Sequence, residues 1–495
     1  MIRDWIEQAA ARHGEDIYLA DARGPATLTY SQLLHTVRDV ERRLDEAGLP
    51  PGSRIAVRLS EPLDYATALV AIVAAGRVAV PLDPGAPAAD VARVLGVARP
   101  SAGLFARIAD DDAEHGAELA DRSRKATGPF GHTEFGFDRD GFFAPGHGGG
   151  GGIFLCTSGT TGTPKGILLR EEQLAHVATS VVECHRFTRG DRGYCSLPLF
   201  HVNAEVVGVL AALRAGAYLA IDRKFSRRGF WDMIAEHRIT WINAVPAIIS
   251  ILAMDPPAVR PGGLRFVRSA SAPLPLAALE RFEDALGVPV VETYGMTEAA
   301  SMITANPIGG PRKPGSAGRA VGSQVRITFP GEETPAPGQI GRVQIRGAGV
   351  ITSYDSGGRP GVIDSDGWLD TSDLGYLDAD GYLFLVGRSD DVINRGGEKI
   401  YPREIEEILL AQPGVRSAVV IGAHDDVLGE RPVAYIVPDG DYIADEIEAA
   451  LAATCAVRLP RQKQPSAYCL VEEMPLGPTG KISRRLLKDL VTAES

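Results

Sequence analysis

"TSGTTGTPKG", residues 157–166, crowds Thr and Ser hydroxyls, three glycines and one lysine into ten positions directly after the apolar run Ile153-Phe154-Leu155. The stretch departs from the Walker arrangement GxxxxGK[ST], because neither Gly162 nor Gly166 is followed by the Lys and Ser/Thr pair at the required place. Its chemistry is still that of an anion cradle. Glycines let the backbone approach a ligand, successive N–H groups form a nest, Ser158, Thr160, Thr161 and Thr163 add donors, and Lys165 adds a point charge. That set suits a polyphosphate. A plain Gly/Thr-rich surface loop is the alternative, and the loop alone does not decide between them.

Outward from this loop, helical and strand patterns alternate, as expected of a layered α/β protein. "YSQLLHTVRDVERRLDEAG" (30–48) places Leu33, Leu34, Val37, Val40 and Leu44 at helical spacing and stops at Gly48, and "RIAVRL" follows as a strand. The alternation recurs at "AGAYLAI" (215–221), "RITWINAV" (238–245), "LRFVRSAS" (264–271) and "VPVVETYG" (288–295), each preceded by a helical stretch. "PGHGGGGG" (145–152) reads as a flexible connector ahead of the opening loop. From about residue 320 the pattern changes to short strands with glycine turns, "SQVRITF", "GRVQIRG" and "GYLFLVGR", which predicts a β subdomain. After Arg388 it changes again, to a small α+β unit with the helix "PREIEEILLAQPG" and the strands "SAVVIGA" and "RPVAYIVP". The expected division is an N-terminal domain of layered α/β sheets over 1–389 and a small mobile domain over 390–495.

Composition narrows the function. The 495 residues are 45% apolar, enough for large buried cores. A net charge of -12 argues against a nucleic-acid partner, which would need an excess of Lys and Arg, so any anionic ligand must be met by local charge. Cys156, Cys184, Cys195, Cys455 and Cys469 are scattered, odd in number and without a CxxC pair, which fits a reducing cytoplasm and gives no zinc site or disulfide framework. The N-terminus, "MIRDWIEQAAARHG" (1–14), reads as an amphipathic helix carrying acids, with no secretion signal. The most apolar stretch, "ATALVAIVAAG" (66–76), is too short for a membrane span and reads as a buried helix.

Further polar clusters fall where open α/β sheets bind ligands. "ETYGMTE" (292–298) offers the ring of Tyr294, the hydroxyl of Thr297 and the Glu298 carboxylate, an oxygen ligand suited to Mg²⁺. "WLDTSDLG" offers Asp373 and "GRSDD" offers Arg388. Together "TSGTTGTPKG", "LPLFHVNAEVVG", "ETYGMTE", "WLDTSDLG", "GRSDDVINRGGEKIYPREIE" and "PTGKISRR" span nearly the whole chain in order. In them the sequence resembles the ANL superfamily of adenylating enzymes, which holds acyl-CoA synthetases, peptide-synthetase adenylation domains and luciferases.

The resemblance implies an ATP site. Thr157, Ser158, Gly159, Thr160, Thr161 and Lys165 would hold the β- and γ-phosphates. Ser271, Ala272 and Pro273 would line the adenine, with Glu292 near its amino group, Thr293 beside it and Tyr294 on its face. Thr297 would touch the α-phosphate, Glu298 would carry Mg²⁺, and Asp373 and Arg388 would bind the ribose from two sides. Lys481, in "PTGKISRR", matches the lysine that assists attack of a carboxylate on the α-phosphate, and Asp390 matches the hinge. In the family the small domain rotates about that hinge once the acyl adenylate has formed. "NRGGEK" (394–399) then matches the loop beside the thiol tunnel of coenzyme A, with Gly397 where a side chain would block it and Lys399 close by. Gly396 and Gly397 read alone are equally a tight turn.

For the acid, the resemblance places His201, Val202, Asn203, Arg268, Ser269, Ala270, Gly295, Met296, Ala299, Ala300 and Met302 around the pocket, with His201 among the catalytic residues. "TWINAVPAII", "LRFVRSASAPL", "MTEAASMITANP" and "KPGSAG" most resemble the oxalyl-CoA synthetase branch, which implies a small polar acid. Arg268 is a candidate fork for a second carboxylate, or a strand-end residue facing solvent or an acid. The sequence departs from that branch at His201-Val202-Asn203-Ala204, usually His-Val-His-Gly, and at Asp390, usually Lys. The acceptor is expected to be coenzyme A, with an amine, another nucleophile or the thiol of a separate carrier protein as alternatives.

Overall fold

The computed structural model describes residues 1–106, 135–138, 149–157, 165–329, 336–358, 360–440, 444–475 and 482–494. Residues 158–164 of the opening loop, including Ser158, Gly159, Thr160 and Thr161, residues 145–148 of the glycine connector, and Lys481 lie outside the described residues.

Local chemistry explains the elements that were predicted. The helix Tyr30–Glu46 starts in a reciprocal cap, in which Gln32 N donates to Thr29 Oγ1 at 3.2 Å and Thr29 N donates to Gln32 Oε1 at 2.8 Å. The helix Pro62–Ala74 opens on proline and is buried at every residue from Asp64 onward, as its uninterrupted apolar run requires. Among the described residues no helix is long and apolar enough to cross a membrane.

A nine-stranded sheet carries the site. Its centre is parallel, with Tyr218–Ile221, Arg192–Cys195, Trp241–Ala244, Phe266–Ser269 and Val290–Tyr294 side by side, and antiparallel pairs close both ends. Three of these strands, "YLAI", "WINA" and "FVRS", are buried at every position, because both faces of a parallel sheet are covered. A six-stranded sheet packs Ala102–Ala106, Arg54–Arg58, Val78–Pro81 and Gly152–Thr157 in parallel, and Lys165–Arg170 turns back antiparallel to Gly152–Thr157. The predicted β subdomain is a four-stranded antiparallel sheet of Gln324–Thr328, Gly341–Arg346, Leu369–Leu377 and Leu383–Arg388.

Beyond the short helical turn Ser389–Asp391, a five-stranded sheet pairs Val415–Asp425 with Gly429–Pro438 and is flanked by the helices Pro402–Leu410 and Ala444–Arg458. Core residues before and after this turn fall into different clusters. The large one runs from Ile2 to Leu369, and the two C-terminal ones begin at Ile393 and Val419.

Candidate active site

The strand Val290–Tyr294 carries three of the nucleotide candidates, Glu292, Thr293 and Tyr294, at its C-terminal end, where parallel strands place their ligands. The Tyr294 hydroxyl donates to Asp373 Oδ2 at 2.5 Å, and Arg388 Nη1 donates to Asp373 Oδ1 at 3.1 Å. Asp373 and Arg388 are direct cross-strand partners, so register fixes the ion pair. Asp373 lies within the strand Leu369–Leu377 and not at a strand end as expected. Glu292 is buried, and Gly315 N donates to its Oε2 at 3.0 Å. Burial raises its pKa to about 7, partly offset by the Gly315 bond. The Thr293 hydroxyl turns inward and donates to Ser269 O at 2.9 Å, so it serves the sheet. Ser271, Ala272 and Pro273 form an exposed loop.

Thr157 and Lys165 face each other as the last pair of the hairpin formed by Gly152–Thr157 and Lys165–Arg170, which brings both ends of the opening loop together. Lys165 Nζ lies 5.4 Å from the ring centroid of Tyr354. The Tyr354 hydroxyl in turn donates to Glu298 Oε1 at 2.9 Å. Glu298 sits in the short turn Thr297–Ala299 and is 7% exposed, a fit for a hard cation that takes oxygen ligands. Gly295 precedes this turn, and a Cβ there would lie 1.2 Å from Ser301 O, so only glycine fits. Of seven non-glycine residues in the left-handed region among the described residues, Ser271 and Ala300 are candidate site residues and Ser301 and Ser372 adjoin others, and such strain gathers at functional sites.

Among the residues expected around the acid, Arg268 carries a charge with no carboxylate partner among the described residues. Arg268, from the strand Phe266–Ser269, is 1% exposed. This excludes the solvent-facing alternative. Its Nη1 donates to Asn203 Oδ1 at 2.8 Å and Asn243 Oδ1 at 3.0 Å, while Nε is enclosed with no acceptor. Asn243 pairs in register with both Arg268 and Cys195, which explains why the three side chains share a sheet face. Burial lowers the guanidinium pKa to about 10, so it stays charged at neutral pH. Beside it lie the Cys184 and Cys195 thiols, both held protonated by burial, and among the described residues no carboxylate pairs with it. Burial, with the charges of Arg268 and Arg265, holds nearby His185 neutral, at about 3. Asn203 Nδ2 is also enclosed without a partner.

Asn203 opens an eight-residue π-helical segment, Asn203–Leu210, which no periodicity in "HVNAEVVG" signals. His201 and Val202 lead into it, with the His201 ring 4.7 Å from that of Phe200. Glu205 on this segment is fully buried with neither oxygen bonded, and burial raises its pKa far above the carboxylate range. Ala270, Ala299, Ala300 and Met302 are buried, and Met296 is half-buried. Asn243 and Tyr354 were missed by sequence reasoning. An asparagine inside the apolar strand "TWINAV" was the available signal for the first.

Asp390 is exposed in the turn Ser389–Asp391, and its Oδ1 accepts from Ser389 Oγ at 3.3 Å. Gly397 lies at φ +91, conformation that requires glycine, and its N donates to Asn394 Oδ1 at 3.1 Å. No atom would meet a Cβ there in this arrangement, and Lys399 is exposed on the neighbouring strand. Two anchors flank the segment holding Lys481: Ser483 N donates to Pro475 O at 2.8 Å, and Arg484 pairs with Glu406 and Asp391 at 2.7 and 3.4 Å.

The AMP-binding enzyme model matches residues 6–355 and the AMP-binding enzyme C-terminal domain model matches 404–481. Sulfoacetate–CoA ligase of Cupriavidus necator is 42% identical over 67% of this chain and 65% of that protein, so this alignment spans just under two thirds of its length. Oxalate–CoA ligase of Arabidopsis thaliana is 32% identical over 94% of this chain and 93% of that protein. Among solved structures, ATP-bound MatB of Rhodopseudomonas palustris superposes with a TM-score of 0.86 at 27% identity, covering 99% of both chains. The o-succinylbenzoate CoA synthetase of Bacillus subtilis, in complex with its acyl-adenylate intermediate, superposes with a TM-score of 0.81 at 27% identity over 98% of both. The chain therefore belongs to the AMP-binding enzyme family, the ANL adenylating enzymes, and is an AMP-forming acid–thiol ligase that activates a carboxylic acid with ATP and passes the acyl group to coenzyme A.

Proposed function

We propose that the acid is short and carries a second anionic group, a sulfonate or carboxylate of the sulfoacetate or oxalate kind. The observation that carries this reading is Arg268, a buried guanidinium whose Nε has no acceptor and whose bonded partners, among the described residues, are neutral amides. A buried charge is costly unless paired, and a ligand anion would complete the pair. Asn203 Nδ2 is a second free donor on that residue's side of the cluster. The sulfoacetate and oxalate relatives point to the same substrate class.

In this reading the carboxylate to be activated lies between His201 and the α-phosphate near Thr297, while Arg268 holds the far anion. Tyr294, Asp373, Arg388 and Glu292 bind the nucleoside, and Thr157, Ser158, Gly159, Thr160, Thr161 and Lys165 the terminal phosphates. Glu298 would hold Mg²⁺, which supplies positive charge beside the triphosphate. Lys481 supplies fixed positive charge where carboxylate meets phosphate, the point of greatest repulsion. The units 1–389 and 390–495 turn about Asp390 between half-reactions, and Gly397 and Lys399 then border the thiol path. The separate core clusters on either side of Ser389–Asp391 support this division.

The test is mass spectrometry of products formed from ATP, Mg²⁺ and coenzyme A with a mixture of sulfoacetate, oxalate, malonate, acetate, a medium-chain fatty acid and a cinnamate. Thioesters of the first three are expected. Thioesters of only the last two would refute the substrate class while leaving the ligase reaction intact.

A further inference from the structure

Lys165 and Glu298, given opposite ends of the Mg²⁺–triphosphate, both reach one aromatic side chain. Tyr354 has the Lys165 ammonium 5.4 Å from its ring centroid and its hydroxyl on the Glu298 carboxylate at 2.9 Å. The surrounding backbone is tied to the same two loops. Ile351 N donates to Glu298 O at 2.8 Å. Gly166 N donates to Ser356 O at 3.0 Å, and Asp355 N donates to Gly166 O at 2.9 Å. Arg54, stacked 4.4 Å over Phe154, anchors the segment through a 2.5 Å ion pair to Asp355. The stretch 351–356 is therefore a brace between Gly166, at the end of the opening loop, and the turn Thr297–Ala299.

We propose that Tyr354 is a positioning residue that keeps Lys165 and Glu298 apart, so that the ammonium stays available to the triphosphate and the carboxylate to its cation. Unlike charges this close to a common neighbour pair directly once the neighbour is removed, and that pair competes with the ligand for both. The ring satisfies the ammonium through its face and the hydroxyl orients the carboxylate through one oxygen, leaving the other for the metal. The inference rests on reading this as the ATP site.

Titration calorimetry of ATP, with Mg²⁺ and with excess EDTA, tests it. Tyr354→Ala is expected to weaken ATP roughly tenfold in EDTA as well as in Mg²⁺, because Glu298 captures Lys165. Adding Glu298→Gln to that variant is expected to restore binding in EDTA, which relief of a folding defect would not do. Tyr354→Phe keeps the spacer and loses the hydroxyl, so ATP binding in EDTA stays as in the wild type while the Mg²⁺ needed for half-maximal binding rises about three- to tenfold. Unchanged ATP binding by Tyr354→Ala at an unchanged thermal midpoint, or no recovery on adding Glu298→Gln, would overturn the proposal. Wild-type protein that bound no ATP would overturn the site reading itself.

Discussion

Replacing Arg268 by Met keeps much of the buried volume and deletes the charge. In the free enzyme this removes an enclosed guanidinium whose hydrogen-bond partners among the described residues are neutral, at the cost of unpairing Asn243 Oδ1 and leaving Asn203 Oδ1 with the 3.4 Å bond from Asn243 Nδ2. The two effects oppose each other, and the thermal midpoint is expected to move by only a few degrees. The bound complex behaves differently. A substrate anion desolvated against methionine loses a charged, buried partner, which costs about 3–5 kcal/mol when one half of such a pair is removed. At 1.36 kcal/mol per tenfold, kcat/KM for a dianionic acid should fall by roughly 100- to 1000-fold or more. A singly charged acid of the same length has no such loss and should gain slightly from the apolar pocket. The assay is ATP–pyrophosphate exchange with each acid varied at saturating ATP. An equal fall for both acids would mean that Arg268 maintains the pocket's shape and binds no second anion. A collapse of the thermal midpoint would mean that the guanidinium is structural.

Lys481→Ala should lower adenylate formation by on the order of 100- to 1000-fold while sparing thiol transfer from supplied acyl adenylate, since the role proposed for this lysine belongs to the first step alone. Equal losses in separate half-reaction assays would remove that role. Asp390→Pro fixes φ near -65° and should leave pyrophosphate exchange intact while thioester formation falls tenfold or more; wild-type turnover would place the hinge elsewhere. Burial raises the Glu292 pKa from 4.5 to about 7, so ionising it in the folded protein costs free energy. Its contribution is fully present below about pH 4.5 and is lost as pH rises through 7, by on the order of 3 kcal/mol. Glu292→Gln should flatten the decline of the thermal midpoint between pH 5 and 8, and an unchanged slope would show that another group governs it.

The parts of the site that were legible in sequence are those whose chemistry sits in contiguous motifs. Tyr294, Thr297 and Glu298 follow one strand within a few residues, and Asp373 and Arg388 occupy paired strands whose glycine turns were visible. The orientation of Arg268 was not legible. Its strand is covered on both faces, so the alternation that separates inward from outward residues on a half-exposed sheet is missing. Asn243 and Asn203 meet Arg268 only through strand register and the π-helical turn, and neither leaves a periodic signature. The left-handed Ser271, Ser301 and Ser372 were equally hidden, because serine has no preference for that region as glycine does. Tyr354 reaches Lys165 and Glu298 through long-range folding, beyond any local pattern.

The central claim is tested most directly by comparing wild-type kcat/KM in pyrophosphate exchange for sulfoacetate and for propionate, acids of similar backbone that differ in the second charge. Arg268, charged, buried and without a carboxylate partner among the described residues, predicts a preference for sulfoacetate of at least about 100-fold, the worth of one buried charged pair. Equal values, or a preference for propionate, would contradict it.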